Sequence, residues 1–309
     1  MSTHKTTVDE KVVLDFLQEN FSNQISNFEV IVGGEGSQAY SFNVLADQYV
    51  IRINKHWTRG FKKDEYAFTH FVSPSLPIPK VIKIGKINEN LRFCISQKVG
   101  GKILNEFSSG ELVPLLPQLF QVLDTIHTID ISQTTGYGKW DAEGVGEKTS
   151  WKEYILSVDT FAKGEDGKPS LFETTFLEKD FWDKTYTRLA DLVKYCPKER
   201  FLVHGDYGFN NVLSDGNKIT GVIDWEGSIY GDFLFDIAWL SFWSYNLDYQ
   251  NLYLEYSKNK GVEIQNFNER MLCYKLHIGL GSCSFFAYSG QEEKYRKAKD
   301  AIEKLLNLN

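Results

Sequence analysis

His204-Gly205-Asp206-Tyr207-Gly208-Phe209-Asn210-Asn211, followed by Ile223-Asp224-Trp225, is the stretch that decides how this chain is read. It sets a histidine, two carboxylates and an amide in the pattern H-x-D-x-x-x-x-N, with the second Asp downstream. The apolar run Phe201-Leu202-Val203 leads into it as a strand, which leaves Asp206 in the turn beyond. Between Asn211 and Asp224 lie a strand, a turn at Ser214-Asp215-Gly216-Asn217, and a second strand from Ile219 to Ile223. A hairpin of that length returns Asp224 beside Asn211. Single Asp and Asn residues in loops commonly cap turns for local reasons. Their combination with the hairpin points instead to a catalytic site.

The same spacing is that of a protein-kinase catalytic centre, and it suits phosphoryl transfer from a nucleoside triphosphate. That reaction leaves a protein little covalent work, so catalysis rests on positioning, neutralisation of charge and orientation of the attacking hydroxyl. Asp206 is the candidate base, able to accept the hydroxyl proton. Asn211 and Asp224 are the candidate metal ligands, hard oxygen donors suited to Mg²⁺. His204 is read as structural, bonding backbone near the Asp224 turn rather than moving a proton.

Upstream, Phe28 to Val99 reads as a nucleotide-binding lobe. Strands from Phe28 to Val32 and Ala39 to Val44 flank Gly33-Gly34-Glu35-Gly36-Ser37, a turn whose glycines let backbone pass close over phosphates. Alone, such a turn is usually just a hairpin. In the next strand, Tyr49 to Asn54, alternation puts Val50, Arg52 and Asn54 on one face, with Arg52 where a kinase presents its phosphate-pairing lysine. A guanidinium also pairs phosphate oxygens. The helix from Lys62 to Phe71 offers Asp64 and Glu65 as partners for Arg52, with Glu65 read as a structural residue near the site. Strands from Lys80 to Gly85 and Leu91 to Gln97 follow. Gln97-Lys98-Val99 then runs into Gly100-Gly101, a hinge where Gln97 and Val99 would meet an adenine edge.

No G-x-x-x-x-G-K-[ST], G-x-S-x-G or H-E-x-x-H occurs, which disfavours a P-loop enzyme and the other motif-bearing hydrolases. Cys94, Cys196, Cys273 and Cys283 are dispersed without a C-x-x-C pair, and reduced, buried thiols are the simplest account. Residues 1–10 lack a signal-peptide stretch and carry Thr7-x-x-Glu10, a capping box ahead of Val8, Val12, Val13, Phe16 and Leu17. A cytoplasmic location is therefore expected. The apolar run Phe233 to Trp243 contains Asp236 and is too short for a membrane span, so it reads as a buried helix. Past the hinge one helix is expected from Glu111 to Asp130, then a loop from Ser132 to Gly146. Two helical stretches between Ser150 and Tyr195, and helices from Phe267 onward, would follow. With 309 residues, 42% hydrophobic and 15% aromatic, the chain supports two cores. The fold class is α+β, a protein-kinase-like two-lobed fold. A small β-rich nucleotide lobe would span residues 1–99, and a larger, mainly helical catalytic and acceptor-binding lobe residues 100–309.

Over nearly its whole length the chain also resembles the aminoglycoside phosphotransferases. The resemblance is carried by Gly34-Glu35-Gly36-Ser37 with Ala39-Tyr40-Ser41-Phe42, Tyr49-Val50-Ile51-Arg52, Leu76-Pro77-Ile78-Pro79 and Phe93-Cys94-Ile95-Ser96. It continues in Asp130-Ile131-Ser132-Gln133-Thr134 with Gly136, Leu202 to Leu213, Ile219 to Trp225, and Gly231-Asp232. It implies a eukaryotic-kinase-like fold, ATP with Mg²⁺, and transfer of the γ-phosphate to a hydroxyl of an aminoglycoside of the hygromycin B kind. By position, Asp206 looks like the base, Asn211 and Asp224 the metal ligands, Arg52 the phosphate contact and Ser37 a loop contact beside Gly34 and Gly36. GTP remains an alternative donor.

For the acceptor, Asp206, Glu226 and Trp243 are the pocket residues. Glu226 would anchor an ammonium group or lie in a solvated turn. Trp243 would stack on a sugar ring or join the core with Phe233, Phe235, Trp239 and Phe242. The net charge of −7 suits a cationic acceptor but is common to many soluble proteins. Macrolides, choline, homoserine and sugars are alternative acceptors, because the fold does not choose among them. A non-catalytic nucleotide-binding module is the alternative of another class, disfavoured by the joint presence of Asp206, Asn211 and Asp224. The expected state is a monomer with a small-molecule acceptor and no nucleic-acid or membrane partner.

Overall fold

A computed structural model describes residues 6–21, 24–33, 36–55, 59–141, 143–164, 169–243 and 247–307. The chain forms two compact units, Met1–Ile103 with Asn211–Glu226, and Leu104–Asn210 with Gly227–Asn309.

The first unit begins with helix α1 (Glu10–Phe21), then strands β1 (Ile25–Ile31), β2 (Gln38–Val44) and β3 (Asp47–Asn54). Helix α2 (Arg59–Phe71) precedes β4 (Val81–Lys86), β5 (Arg92–Gln97) and the short β6 (Lys102–Ile103). The first five strands make one antiparallel sheet in the order β1-β2-β3-β5-β4. Alternation supplies its core: Tyr40 and Phe42, Ile51 and Ile53, and Phe93 and Ile95 are buried with Val13 and Leu17 of α1. Arg52, between Ile51 and Ile53, is thereby turned to the opposite face, where α2 lies.

The second unit opens with a 3-10 turn at Leu104–Glu106, followed by α3 (Ser109–Leu112), a further 3-10 turn at Val113–Leu115, and α4 (Leu116–His127). The single helix expected from Glu111 to Asp130 is therefore interrupted. Pro114 and Pro117 each lack a backbone N–H and sit at the first turns of the segments that follow, where proline is tolerated. The expected loop Ser132 to Gly146 contains β7 (Tyr137–Trp140), paired with β8 (Gly146–Lys148). Among the described residues between Ser150 and Tyr195 stand four α-helices rather than two: α5 (Trp151–Leu156), α6 (Val158–Lys163), α7 (Leu171–Thr174) and α8 (Lys179–Leu192). Strand β9 (Phe201–Val203) leads to His204.

The hairpin β10 (Val212–Ser214) and β11 (Ile219–Val222) belongs to the first unit, because β10 also pairs with β6 in the sheet β11-β10-β6. Strand pairing is why this unit takes back Asn211–Glu226, beyond the expected boundary after residue 99. Asp215 shapes the hairpin turn, accepting the N–H groups of Asn217 and Lys218 at 2.9 and 3.0 Å.

The chain then completes the second unit with β12 (Ile229–Gly231), set between β7 and β9 in the sheet β8-β7-β12-β9. Helices α9 (Leu234–Trp243), α10 (Tyr249–Asn259), α11 (Phe267–Tyr288) and α12 (Glu292–Asn307) follow. Helix α11 is buried along most of its length and packs against α8, α9 and α12. Among the described residues no helix is long and apolar enough to cross a membrane.

Candidate active site

In the first unit, Arg52 and the turn that carries Asp224 gather around Asp64 of α2. Its carboxylate takes a hydrogen bond from the Arg52 guanidinium on one oxygen and, on the other, from the Trp225 amide at 2.9 Å. Arg52 also stands 3.8 Å from Asp224 Oδ1 and stacks over the Phe61 ring. Burial alone would pull the guanidinium down, but the charges of Asp64 and Asp224 outweigh it and its pKa lies above the ordinary value. Asp224 adopts a left-handed backbone, φ +65°, a strained conformation Asp tolerates better than most residues. Its side chain is 45% exposed. Partial burial pushes it up to about 6, with Arg52 opposing and Asp64 and Glu226 adding to the rise. The Ile223 amide donates to the Asn211 carbonyl at 2.9 Å, which sets Asn211 across the hairpin from the residue before Asp224.

Helix α2 supports this turn twice. Besides Asp64 on the Trp225 amide, Lys63 donates to the Glu226 carbonyl at 3.2 Å. The Glu226 side chain is exposed and lies over Gly60, where a Cβ would collide with it. Of the two acids offered as partners for Arg52, Asp64 makes the pair; Glu65, one position along the helix, is exposed.

The second unit holds the candidate base. The Asp236 carboxylate in α9 accepts the His204 amide at 3.0 Å, the Gly205 amide at 2.8 Å, and pairs with His127 Nε2 at 3.0 Å. Its carboxylate is fully buried, so these partners offset the loss of hydration. His204 is itself buried, and its Nδ1 accepts the Asp206 amide at 3.3 Å. The histidine thus bonds the backbone of its own loop. Gly205 has φ +78°, and a Cβ there would collide with the Gly227 carbonyl. Tyr207 is anchored through its hydroxyl to the Leu119 carbonyl at 3.0 Å. Asp206 remains partly accessible at the end of this braced turn.

Asp236, His127 and Lys63 were not among the sequence candidates. A signal existed for Asp236, a carboxylate inside an otherwise apolar helix, which must be bonded to be tolerated there. A second buried carboxylate, Asp232, receives Arg270 bidentately at 2.8 and 2.6 Å together with the Tyr274 hydroxyl.

Of the remaining candidates, Gly34 lies outside the described residues. Gly36 is exposed and accepts the Thr6 amide at 3.1 Å. Ser37 Oγ accepts from Asn54 Nδ2 at 3.3 Å, tying the glycine-rich turn to the strand that carries Arg52. Gln97 is exposed and donates its amide to Lys80 at 2.8 Å. Val99 is half-buried against Gly221 of β11. Trp243 is half-buried in an aromatic cluster, with ring centroids 4.9 Å from Phe242 and 6.3 Å from both Trp239 and Phe286.

Asn211 and Asp224 present hard oxygens in a charged setting, which fits Mg²⁺. Among the described residues no group of three or more His, Cys, Asp or Glu could hold a metal. Phosphate oxygens and water would complete the shell, as is usual for this ion.

A family model described as the phosphotransferase enzyme family matches residues 27–260. The hygromycin-B 4-O-kinase of Escherichia coli is 34% identical over 269 residues, covering 86% of this chain and 76% of its own length. The crystal structure of a thermostable mutant of aminoglycoside phosphotransferase APH(4)-Ia, in ternary complex with AMP-PNP and hygromycin B, matches with a TM-score of 0.83. The two are 30% identical, over 95% of this chain and 97% of that one. The GDP complex of aminoglycoside 2'-phosphotransferase-IIIa shares the fold at 16% identity and TM-score 0.71, over 96% of this chain and 98% of that one. The fold is accordingly the α+β, kinase-like one, a β-rich unit and a mainly helical unit.

Proposed function

Because the chain belongs to the phosphotransferase enzyme family, we propose that it moves the γ-phosphate of ATP to a hydroxyl of an aminoglycoside, with hygromycin B the favoured acceptor. The observation that carries the reaction is the Asp64 bridge, which fixes Arg52 and the Asp224 turn with one carboxylate. The acceptor rests on the 34% identity to hygromycin-B 4-O-kinase.

Asp206 is the base, taking the proton from the acceptor hydroxyl as its oxygen attacks. Arg52 pairs with phosphate oxygens, its cationic form secured by Asp64. Asn211 and Asp224 are the residues that would hold Mg²⁺, which when bound neutralises charge on the β- and γ-phosphates. Ser37 and the glycines at 34 and 36 contact phosphate, and the Gln97 to Val99 segment takes the adenine. Glu226 and Trp243 belong to the proposed acceptor pocket, Glu226 toward an ammonium group. The first unit is thus the nucleotide-binding lobe. The protein acts as a monomer in the cytoplasm.

Acceptor-dependent ADP release should be measured with Mg²⁺-ATP against hygromycin B, other aminoglycosides, a macrolide, choline, homoserine and a simple sugar. Release with hygromycin B or a related aminoglycoside is expected. Turnover confined to the non-aminoglycosides would overturn the acceptor and leave the reaction standing.

A further inference from the structure

Cys196 and Cys273 are 77 positions apart in the chain, and their sulfurs lie 3.7 Å apart as thiols. Cys196 closes the 3-10 turn Val193–Tyr195 and begins the segment leading to β9. It is half-buried and lines an open pocket of about 500 Å³ with Tyr195, Pro197, Phe233 and Arg270. Cys273 stands behind it, fully buried in α11. An accessible sulfur with a second thiol in contact is the arrangement of an attacking and a resolving cysteine.

The surroundings favour the first step at Cys196. Contact with the Cys273 thiol draws the Cys196 thiol below its ordinary value, with burial and Asp232 opposing and Tyr274 and Arg270 adding to the effect. The remaining cysteines differ. Cys94 and Cys283 are fully buried, and burial pushes their thiols up to about 11 and about 12. Inert thiols of that kind oxidise slowly.

We propose that Cys196 and Cys273 are a redox-active dithiol, closed to a disulfide by a hydroperoxide and reopened by thiols. The Cys196 thiolate attacks the peroxide, the O–O bond breaks, and Cys196 becomes a sulfenic acid as the remaining oxygen leaves as hydroxide or alkoxide and takes up a proton. The Cys273 sulfur then attacks the Cys196 sulfur. The S–O bond breaks, and the departing hydroxide takes the Cys273 proton as water. Two thiols and one hydroperoxide thus give one disulfide, one water and one alcohol, or a second water from hydrogen peroxide. An S–S bond measures about 2.0 Å, so closure needs side-chain rotation and a slight approach of the two segments. The bond would join the segment that leads into β9 to α11, one turn from Arg270 and beside Tyr274, which hold Asp232.

The test is to expose the full chain to hydrogen peroxide, block remaining thiols with N-ethylmaleimide after unfolding, and map the peptides by mass spectrometry without reduction. Expected are a peptide pair linked through Cys196 and Cys273, alkylation restricted to Cys94 and Cys283, and loss of the link on adding dithiothreitol. Cys196→Ser should leave Cys273 alkylatable at the same peroxide dose, and Cys273→Ser should trap Cys196 as a sulfenic acid that reacts with dimedone. Four alkylatable thiols after a dose that oxidises free cysteine would overturn the proposal. So would Cys196 oxidised beyond sulfenic acid in the wild type with no linked peptide.

Discussion

Asp64 is the residue on which the first unit's candidate groups converge. It bonds both the cation expected to meet phosphate and the backbone of the turn that holds Asp224. Breaking a buried pair strands the partner charge, so Asp64→Ala should cost roughly 2–4 kcal/mol in urea denaturation, the lower end reflecting the exposure of Arg52. With Arg52 in its proposed role as the phosphate contact, the same variant should raise the KM for ATP by about tenfold or more. Glu65→Ala should move stability by no more than about 0.5 kcal/mol, as expected for an exposed site. The sequence made both acids available but not the choice, because neighbours on a helix point about 100° apart and the facing depends on how α2 packs. Gly205 makes a second residue-level test. Alanine there meets both a positive φ and the Gly227 carbonyl, so Gly205→Ala should cost on the order of 1–3 kcal/mol and lower kcat by displacing the Asp206 loop.

Among the elements, a helix that follows the Asp206 loop holds it. Asp236 in α9 gathers the His204 and Gly205 amides and His127 of α4 on one fully buried carboxylate. Asp236→Ala would leave these donors buried without their acceptor, and equilibrium unfolding should record a loss of about 3–5 kcal/mol. Periodicity and turn chemistry made β3, the β10–β11 hairpin and α9 legible, since each signal is local. The helix expected from Glu111 to Asp130 was not, because an apolar stripe continues past Pro114 and Pro117 while the hydrogen bonding cannot. Strand β7 was hidden for a related reason: four residues paired with distant β12 carry little periodic signal of their own. The contact of Cys196 with Cys273 is likewise a product of tertiary packing that no spacing rule announces.

For the whole molecule, stability should depend on pH through a half-buried imidazole. His277 in α11 has its Nδ1 2.8 Å from the Ile155 carbonyl, and burial pulls it down to about 4, with that carbonyl opposing and Lys139 adding. Its ordinary value is near 6.5. Above both values the two states bind no proton and the group contributes nothing. As pH falls from about 6.5 toward 4 the unfolded chain binds a proton that the folded one refuses, so stability drops, by roughly 3 kcal/mol at most. Urea midpoints at pH 7.5 and 5 should therefore fall more steeply for the wild type than for His277→Gln. A parallel fall in both would assign the pH dependence to other groups.

The proposed role of Asp206, deprotonating an aminoglycoside hydroxyl for attack on ATP, is read from the mass of the acceptor itself. Hygromycin B incubated with Mg²⁺-ATP and the wild-type protein should gain one phosphoryl group. With Asp206→Asn, folded and still binding ATP, the rate of that gain should fall by about 10²–10⁴-fold. An unmodified acceptor with the wild type would rule out this reaction, and equal phosphorylation by the Asp206→Asn variant would rule out Asp206 as its base.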